Sequence, residues 1–409
     1  MDFGMFEVED MASDEQTTST IIKVIGVGGA GGNAVNRMIA SGLKKVHFVA
    51  MNTDMQALQR SNAQMRLPIG RELTGGLGAG GVPDVGEKAA QESKDDIRRE
   101  VENADMVFIT AGMGGGTGTG AAAVVAEVAK SCNALTVAVV TTPFDFEGKK
   151  KFTLAQAGIE KLRKQVDTLI IIPNQYLLKV VENNTPIKQA FLMADEVLYM
   201  GVQGISELIT EPGEINIDFA DVRTVMKGKG DALMGIGFGE GTNRAVDAAR
   251  QAVSNPLLEN ASIQGATSVL INLAGSDNLT LQEYQDVVEL VTEQCADDAL
   301  IIAGQAFNPE LGDRIKVTVV ATGFAHNEQA GTLEYAENEF TQRRFSTQDA
   351  ETPSESPAAT EEQDIGAIQV NRWQDLQKQL GRTSNPSSTD YSIPAVLRYS
   401  QNKGGDERQ

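Results

Sequence analysis

The sequence predicts an α/β protein in which a parallel-sheet domain is joined by a long central helix to a second, smaller α/β domain. Apolar runs typical of buried strands alternate with helical patterns between residues 21 and 173. This alternation favours a doubly wound parallel sheet with helices on both faces. A long amphipathic pattern follows at 185–209, and a second alternation of strands and helices begins after Gly213. These patterns indicate two sheet-containing regions with one helix between them.

The predicted elements of the first region follow one another regularly. Five strands are predicted at 21–25, 46–50, 106–111, 135–141 and 168–172. Four helices are predicted at 30–40, 84–103, 119–131 and 152–165. Open parallel sheets bind ligands beyond the carboxyl ends of their strands, so a site is expected in the segments that follow these strands.

The central helix has a clear start signal in Thr185 and Pro186. We predict Thr185 as its N-cap and Pro186 as its first helical residue. The apolar residues that follow recur at helical spacing and mark one buried face. Asp195 interrupts that face. A carboxylate in such a place needs a partner, which is either a neighbouring backbone N–H group or a bound ligand.

The second region contains predicted strands at 267–274, 300–307 and 315–324 and predicted helices at 243–254 and 280–295. We divide the whole chain into a disordered acidic arm (1–20), the first sheet domain (21–184), the central helix (185–209), the second α/β domain (210–326), a disordered acidic linker (327–389) and a terminal peptide (390–409). The linker has too few aliphatic residues to offset its chain entropy. The terminal peptide is either a docking segment or an inert tail.

Composition excludes several classes of function. The formal charge of −21 argues against a general nucleic-acid binder, which needs a basic face. The chain has only two histidines, and its two cysteines, Cys132 and Cys295, lack metal-ligand spacing. No apolar run reaches the roughly 20 residues of a membrane-spanning helix, and the acidic N-terminus lacks the basic start of a signal peptide. We therefore predict a cytoplasmic protein without direct membrane insertion.

Two glycine-rich segments carry the strongest chemical signal. They read GVGGAGGN at 26–33 and GGGTGTG at 114–120, and each lies between a predicted strand and a predicted helix. Glycines let the backbone curl around an anion, and the N-terminus of a helix attracts phosphate. Two such loops in one sheet predict a nucleoside di- or triphosphate ligand.

Two other functions fit part of this pattern. Gly26, Gly28 and Gly31, with Asp54 about 20 residues on, match a dinucleotide fingerprint and so a nicotinamide-dependent oxidoreductase. That interpretation leaves the second glycine segment unexplained, and no hydride-handling residue stands out. A nucleotide-binding scaffold without turnover is the third hypothesis. A P-loop protein is excluded because no GxxxxGK[ST] run occurs.

Further motifs occur in a distinctive order along the chain. They are GGAGGNAVN at 28–36, NTD at 52–54, GGLGAG at 75–80, GGGTGTG at 114–120, TPFDFEG at 142–148 and NIDFADVR at 216–223. GGGTGTG resembles the tubulin signature. In this order the motifs closely resemble those of the FtsZ family, the bacterial tubulin-like cell-division GTPases. The resemblance spans about residues 20–326 and returns in the terminal peptide.

The resemblance implies that the ligand is GTP or GDP, with Mg²⁺ bound mainly through the phosphates and water. The nucleotide contacts that it implies are Gly28, Gly29, Ala30, Gly31, Gly32, Asn33, Asp54, Gly78, Ala79, Gly80, Gly112, Gly114, Gly115, Gly116, Thr117, Gly118, Thr119, Glu147, Lys151, Asn174, Phe191 and Asp195. The two glycine loops would wrap the phosphates, and the hydroxyls of Thr117 and Thr119 would add contacts. Asp54 and segment 75–80 would close over the γ-phosphate.

The sugar and the base also have implied partners. Glu147 would accept hydrogen bonds from the ribose hydroxyls, while Asn33, Asn174 and Asp195 would recognise guanine. A carboxylate accepts from the guanine N1–H and exocyclic amine together, and adenine offers no such donor pair. This would explain why Asp195 lies on an otherwise apolar face.

The family's catalytic loop corresponds to Asn216, Asp218 and Asp221. The resemblance implies that this loop reaches the nucleotide of the next subunit in a head-to-tail protofilament, where the carboxylates orient and polarise a water. Without the resemblance, 216–223 would be interpreted as a solvated loop. The implied assembly is the cytokinetic ring, formed by a cytoplasmic protein concentrated at midcell. The segment from Ile393 to Arg398 would dock onto membrane tethers and regulators.

The sequence departs from the family pattern at several positions. Lys151 stands where arginine is usual, so a bidentate phosphate contact is lost there. Gln175 replaces the usual Asp after Asn174, and GGVP at 80–83 differs from the commoner loop sequence. Val396 replaces a phenylalanine in the terminal peptide, which reduces the apolar area available to a partner.

Overall fold

The computed structural model describes residues 20–178, 185–211, 213–254, 263 and 265–324. The predicted linker at 327–389, the terminal peptide at 390–409 and all of the N-terminal arm except Thr20 lie outside the described residues. The strands are β1 (Ile22–Val27), β2 (His47–Asn52), β3 (Met65–Pro68), β4 (Met106–Gly112), β5 (Leu135–Thr142), β6 (Thr168–Pro173), β7 (Gly230–Gly239), β8 (Ser268–Gly275), β9 (Leu300–Phe307) and β10 (Ile315–Thr322).

The helices are α1 (Gly28–Ala40), α2 (Met55–Gln59), α3 (Arg71–Thr74), α4 (Pro83–Glu92), α5 (Lys94–Val101), α6 (Thr117–Ser131), α7 (Lys149–Arg163), α8 (Asn174–Leu177), α9 (Ile187–Thr210), α10 (Phe219–Met226), α11 (Arg244–Val253) and α12 (Leu281–Thr292). Short 3₁₀ helices lie at Asp145–Glu147 and Pro309–Leu311. In the part of the chain that the structure describes, no helix combines the length and apolar character needed to cross a bilayer.

The strands form a single sheet in the order β3-β2-β1-β4-β5-β6-β7-β10-β8-β9. The first six are parallel and have the order of a doubly wound dinucleotide-type fold, which confirms the predicted fold class. β7 joins them through parallel pairs at Thr168–Gly230, Leu169–Asp231 and Ile170–Ala232. β10 is antiparallel to both β7 and β8, while β9 is parallel to β8.

The alternation of side chains along the strands divides the core between two faces of the sheet. Ile22 and Val24 of β1 belong to a cluster with α1 and α9, whereas Ile25 and Val27 pack with α4 to α7. A third cluster joins α11 and α12 to β8 and β10. Because α9 packs on β5 and β6 and also on β7, β8 and β10, it connects the two parts of the sheet as predicted.

The start of α9 differs slightly from the prediction. The helix begins at Ile187, Pro186 occupies the N-cap position, and no side chain caps the helix. The predicted N-cap role of Thr185 is therefore wrong. At 24 residues, α9 is about 36 Å long. It approaches the sheet closely at Gly204, where an added Cβ would lie 2.6 Å from Cγ2 of Thr318.

The predicted helix at 84–103 is two helices, α4 and α5, separated at Ser93. The Ser93 side chain is buried, and its Oγ accepts a hydrogen bond from the Gly70 backbone N–H at 3.0 Å. This bond to a distant segment fixes the direction of the chain at Ser93, where α4 ends and α5 begins. The helical pattern of the sequence does not reveal it.

Strand β7 was not predicted because four of its ten residues are glycines, which weaken a strand signal. Packing explains two of them. A Cβ on Gly237 would lie 2.0 Å from the carbonyl oxygen of Ala248, and one on Gly239 would lie 1.9 Å from that of Arg244. Helix α11 therefore rests directly on the backbone of β7, and only glycine admits it there. The four-residue strand β3 was also missed.

Arg244 organises the second part of the sheet. Its side chain is 11% exposed and makes a two-point contact with Glu283 at 2.6 and 3.1 Å. The same guanidinium donates to Oδ1 and the backbone oxygen of Asn278 and to the backbone oxygen of Asp313. These bonds use all five donors of the side chain and tie α11 to the start of α12.

We expect Arg244→Met to lower the free energy of unfolding by about 3–5 kcal/mol, because it leaves a half-buried carboxylate and two backbone carbonyls without their donor. Urea unfolding followed by circular dichroism measures this. The control is Arg163→Met, since Arg163 is also an ion-paired arginine, bound to Asp231 and Glu160, but is more exposed than Arg244. Its loss should cost no more than about 1 kcal/mol. Equal losses in the two variants would contradict this role of Arg244.

Candidate nucleotide-binding site

The two glycine-rich loops lie side by side at the edge of the sheet that is formed by the carboxyl ends of its parallel strands. They follow β1 and β4, which are neighbouring parallel strands paired as far as Val27 and Ala111. Helix α1 begins at Gly28 directly after β1, and α6 begins at Thr117 after a short turn. The strand order reverses at this point of the sheet, which is where doubly wound folds bind nucleotides. Two helix N-termini therefore face the same region and favour an anion.

Some of these glycines are required by packing between the loops. Gly28 has φ +75°, and a Cβ there would lie 2.8 Å from the backbone nitrogen of Gly118. A Cβ on Gly31 would lie 2.3 Å from the carbonyl oxygen of Thr110, and one on Gly112 would lie 2.6 Å from Cβ of Ala30. These close contacts hold the two strand–helix turns together.

Other glycines face open space. Apart from the adjoining residues and the backbone of the same helix, no described atom lies within 4 Å of a Cβ built on Gly29, Gly32 or Gly115. The space beside the backbone at these positions is therefore open to a ligand. This arrangement fits a phosphate chain.

The hydroxyls of the second loop have different surroundings. Thr119 is buried, and its Oγ1 accepts a hydrogen bond from the Gly114 backbone N–H at 2.8 Å. Thr117 Oγ1 lies 2.7 Å from Oγ1 of Thr53. Thr119 therefore shapes the loop from within, while Thr117 links the loop to the segment before Asp54.

The Asp54 segment and the 75–80 loop form one unit over the glycine turn. Asp54 caps α2 by accepting from the backbone N–H groups of Gln56 and Ala57 at 2.8 and 3.3 Å. The backbone N–H of Gly78 donates to the Thr53 carbonyl at 3.1 Å. Ala79 is buried against Gly116, where an added Cβ would lie 2.9 Å from the methyl of Ala79. Segment 75–80, which is predicted to close over the γ-phosphate, therefore contacts the second glycine loop.

Glu147 and Lys151 lie together on the other side of that loop. Glu147 Oε1 accepts from the Phe144 backbone N–H at 3.1 Å, and its Oε2 lies 3.0 Å from Nζ of Lys151. A Cβ on Gly114 would lie 2.9 Å from the carbonyl oxygen of Lys151. The backbone of Lys151 thus contacts the glycine loop directly.

Unpartnered polar groups collect near the start of α9. Asn174, the first residue of α8, is buried, and its Oδ1 has no hydrogen-bond partner among the described residues. The Asp195 carboxylate likewise accepts no hydrogen bond within the described ranges. Burial raises the pKa of Asp195 to about 6, although the nearby Arg37 guanidinium acts in the opposite direction. A ligand with several donors would satisfy both groups.

Two features of this region were not predicted. Arg37 of α1 ion-pairs with Glu196 at 3.4 Å and so places α1 beside Asp195. Asn33 precedes Arg37 by one helical turn and therefore lies on the same side of α1. Phe191 makes edge-to-face contacts with Phe144 and Phe146, at centroid distances of 5.4 and 6.5 Å. No local sequence signal reveals these contacts, because they join segments far apart in the chain.

The predicted catalytic residues lie at the opposite edge of the sheet. Asp218 is the N-cap of α10 and accepts from the Asp221 backbone N–H at 2.8 Å. Segment 216–223 is therefore a loop only as far as Asp218, and the remainder is helical. Asn216 Oδ1 accepts from the Gly213 backbone N–H at 2.8 Å. The exposed Asp221 carboxylate has no partner in the described part of the chain.

Two internal measures give the separation between these residues and the glycine loops. Arg223 of α10 donates to the carbonyl of Asn133, just beyond the C-terminal end of α6, whose N-terminus forms the glycine turn. Fifteen helical residues span roughly 22 Å. Ile217 packs beside Leu208, about 25 Å along α9 from Phe191. The carboxylates therefore do not reach phosphates bound at the glycine loops of their own chain.

Comparison with known proteins gives consistent matches. A family model of the tubulin/FtsZ family GTPase domain matches residues 21–182, and one of the FtsZ family C-terminal domain matches residues 230–325. A solved structure of an FtsZ dimer from M. jannaschii is 46% identical, with a TM-score of 0.72, and the match covers 75% of this chain and 89% of that one. The chain belongs to the FtsZ family.

More distant structures share the fold of the FtsZ family. CetZ1 from Haloferax volcanii, solved as a GDP-bound monomer, is 21% identical, with a TM-score of 0.65 and coverage of 75% of this chain and 95% of that one. CetZ2 from the same organism, solved as a GTPγS-bound protofilament, is 18% identical, with a TM-score of 0.61 and coverage of 76% and 96%.

Membership of the FtsZ family decides between the hypotheses left open by the sequence. The chain carries the family's GTPase domain and is a GTPase that binds guanine nucleotide. The nicotinamide-dependent oxidoreductase and the scaffold without turnover are therefore wrong. Asp54, the residue that the first of these assigned to the ribose, caps α2 instead.

Proposed function

We propose that this GTPase assembles head-to-tail into protofilaments and hydrolyses GTP at the contact between subunits. The observation that carries the proposal is the position of Asp218 and Asp221 at the edge of the sheet opposite the glycine loops. One chain then offers a nucleotide face and a carboxylate face. Contact between unlike faces is a heterologous interface, which repeats without closing and produces filaments.

In the nucleotide face, the open backbone at Gly29, Gly32 and Gly115 would contact the phosphates together with the N-termini of α1 and α6. Lys151 would approach from the first turn of α7 once its bond to Glu147 opens, and Glu147 would then accept from the ribose. Mg²⁺ would offset the charge of the β- and γ-phosphates. The metal would be held mainly by the phosphates and by water.

At the base, the unpartnered Oδ1 of Asn174 and the carboxylate of Asp195 would read the guanine edge. Asp195 would accept from N1–H and the exocyclic amine, and Asn174 would accept from a further donor or from a water. Phe191 would pack against the base from α9. The roles of Asn174 and Asp195 each satisfy a polar group that has no hydrogen-bond partner among the described residues.

In the carboxylate face, Asp221 is the residue best placed to act on a water beside the γ-phosphate of the adjoining subunit. It is exposed and free of ion pairs in the described structure, whereas Asp218 and Asn216 each bind a backbone N–H. Positioning and polarisation of the water are the expected contributions, as in other phosphoryl transfers. Asp218 and Asn216 would hold the geometry of the segment.

The cellular role that we propose is the cytokinetic ring, formed by a cytoplasmic protein concentrated at midcell. The FtsZ relatives support this role, and the printed descriptions of an FtsZ dimer and a CetZ2 protofilament support self-association. The segment from Ile393 to Arg398, which lies outside the described residues, would connect the polymer to membrane tethers and regulators. The domain limits at 21–184, 185–209 and 210–326 are part of the same proposal.

The test is phosphate release per subunit at increasing protein concentration, with Mg²⁺ and either GTP or ATP. We expect a GTP-selective rate that rises steeply above a threshold concentration, because no chain completes a site by itself. A rate per subunit that is independent of concentration would contradict the shared site. Sedimentation of the same samples shows whether the threshold coincides with assembly.

A further inference from the structure

The segment that carries the proposed catalytic carboxylates is attached to the edge strand of the sheet through the backbone and the side chain of Gln305. β9 is the last strand, and Gln305 lies near its end. The Gln305 backbone N–H donates to the carbonyl of Ile215 at 3.0 Å, and its side-chain Oε1 accepts from the backbone N–H of Glu214 at 3.0 Å. Gln305 thus holds two consecutive residues just before Asn216.

The approach of the two backbones is close. A Cβ on Gly213 would lie 1.9 Å from the carbonyl oxygen of Gln305, so only glycine fits there without displacement. The Gly213 N–H is in turn bound by Oδ1 of Asn216 at 2.8 Å. Residues 213–216 therefore form a turn that is closed on itself and fixed to β9.

Ile217, the residue after this turn, fixes its position by packing into the core. Ile217 is 7% exposed, and a Cβ on Gly304 would lie 2.6 Å from its Cδ1 and 3.2 Å from Cδ2 of Leu208. Gly304 therefore leaves the space into which Ile217 packs, beside α9. Asp218 follows directly as the N-cap of α10. The position of the carboxylates is thus set by neighbouring residues of β9, Gly304 and Gln305.

We propose that Gln305 is a positioning residue for GTP hydrolysis, which fixes segment 213–218 so that Asp221 meets the nucleotide of the adjoining subunit. The assignment rests on the proposed shared site. Gln305 touches neither nucleotide nor water, and it acts through the backbone of Glu214 and Ile215. Catalytic groups misplaced by about 1 Å lose up to about 100-fold in rate, so one such bond has a measurable effect.

The experiment compares Gln305→Leu with Gln305→Glu in the full chain. Leucine removes the acceptor for the Glu214 N–H, while glutamate retains an oxygen at that position. We expect Gln305→Leu to lower phosphate release per sedimented subunit by about 10-fold or more, with GTP affinity and melting temperature unchanged. Gln305→Glu should restore most of the rate. Gly213→Ala, which pushes the segment from β9 sterically, should reproduce the loss by an independent route.

The matched control is Gln251→Leu. Gln251 also accepts a backbone N–H through Oε1, from Phe238 at 2.5 Å, but contacts no part of segment 213–218 in the described structure. A rate for Gln305→Leu equal to that of Gln251→Leu would overturn the assignment, as would a failure of glutamate to rescue. Asp221→Ala distinguishes a failure of the proposed shared site from a failure of the proposed role of Gln305. If that variant keeps full turnover, the shared site itself fails, whereas an inactive Asp221→Ala with an active Gln305→Leu sinks only the role of Gln305.

Discussion

Replacing Asp221 by alanine is expected to abolish GTP turnover while leaving GTP binding intact. The carboxylate has no partner in the described structure and is exposed, so its removal should change the free energy of unfolding by less than about 0.5 kcal/mol. It lies roughly 20 Å from the glycine loops of its own chain, so GTP affinity should not change. We expect phosphate release to fall by about 100-fold or more, measured at saturating GTP above the assembly threshold.

Asp218→Asn is the companion variant, because asparagine is as good an N-cap as aspartate. It keeps the bond to the Asp221 N–H and removes only the charge, so it separates catalysis from the capping of α10. A rate close to that of the unsubstituted protein would assign Asp218 to capping alone. Normal turnover in Asp221→Ala would refute the catalytic role of the segment.

Complementation provides a sharper test of the shared site. A subunit with Asp221→Ala retains an intact nucleotide pocket, and a subunit impaired at the base, such as Asp195→Asn, retains an intact carboxylate face. If one site is built from two chains, an equal mixture of the two inactive variants should regain up to about a quarter of the normal turnover, since only one of four pairings is competent. A mixture that remains inactive would mean that each chain completes its own site.

The second large effect is expected on recognition of the guanine base by Asp195. Asp195→Asn should weaken GTP binding by at least about 100-fold, because the carboxylate would lose two charge-assisted hydrogen bonds of about 1.5–3 kcal/mol each. Xanthosine triphosphate carries a carbonyl where guanine has its amine, so an asparagine amide can donate to it. The variant should therefore prefer xanthosine triphosphate in a competition binding assay. Glu196→Gln, one residue along α9, should keep the preference for GTP.

The pH dependence of binding gives an independent check of Asp195. Its pKa is raised to about 6 by burial, so the carboxylate gains a proton as the pH falls through that value and can no longer accept both guanine donors. GTP affinity should then fall about tenfold per pH unit below 6. Arg37 is the charged group that acts on Asp195, and it lowers the pKa that burial raises. Asp195→Asn should lack this dependence, and an unchanged pH profile in that variant would assign the titration to another group.

Local patterns were sufficient for much of the first region. The strand before each glycine loop, the helix after it and the long apolar face of α9 are all encoded by residues within about 20 positions of one another, because periodicity is a property of consecutive residues. The fold class and the GTPase identity followed from these patterns and from the order of the motifs. Asp195 was recognised as an anomaly for the same reason, since one carboxylate interrupts an apolar face.

The elements that were predicted wrongly depend on contacts between distant residues and not on local patterns. β7 was missed because its glycines are selected by contact with α11, and the break at Ser93 depends on a bond to Gly70. In both cases the partner is distant in sequence. The local sequence pattern shows only a weakened strand in the first case and a continuous helix in the second. It does not reveal the contact with α11 or the bond to Gly70.

The sequence by itself predicted which residues bear the chemistry: two glycine loops ahead of helices, a carboxylate on an apolar face and the acidic segment at the start of α10. Only the tertiary structure decided where they lie. The strand order brings β1 beside β4 and so joins the glycine loops, while α6 and α9 hold Asp221 at the far edge. Gln305 accepts a hydrogen bond from Glu214, which is 91 positions away in the sequence. Strand order and such contacts arise from the packing of distant segments, which no local pattern specifies.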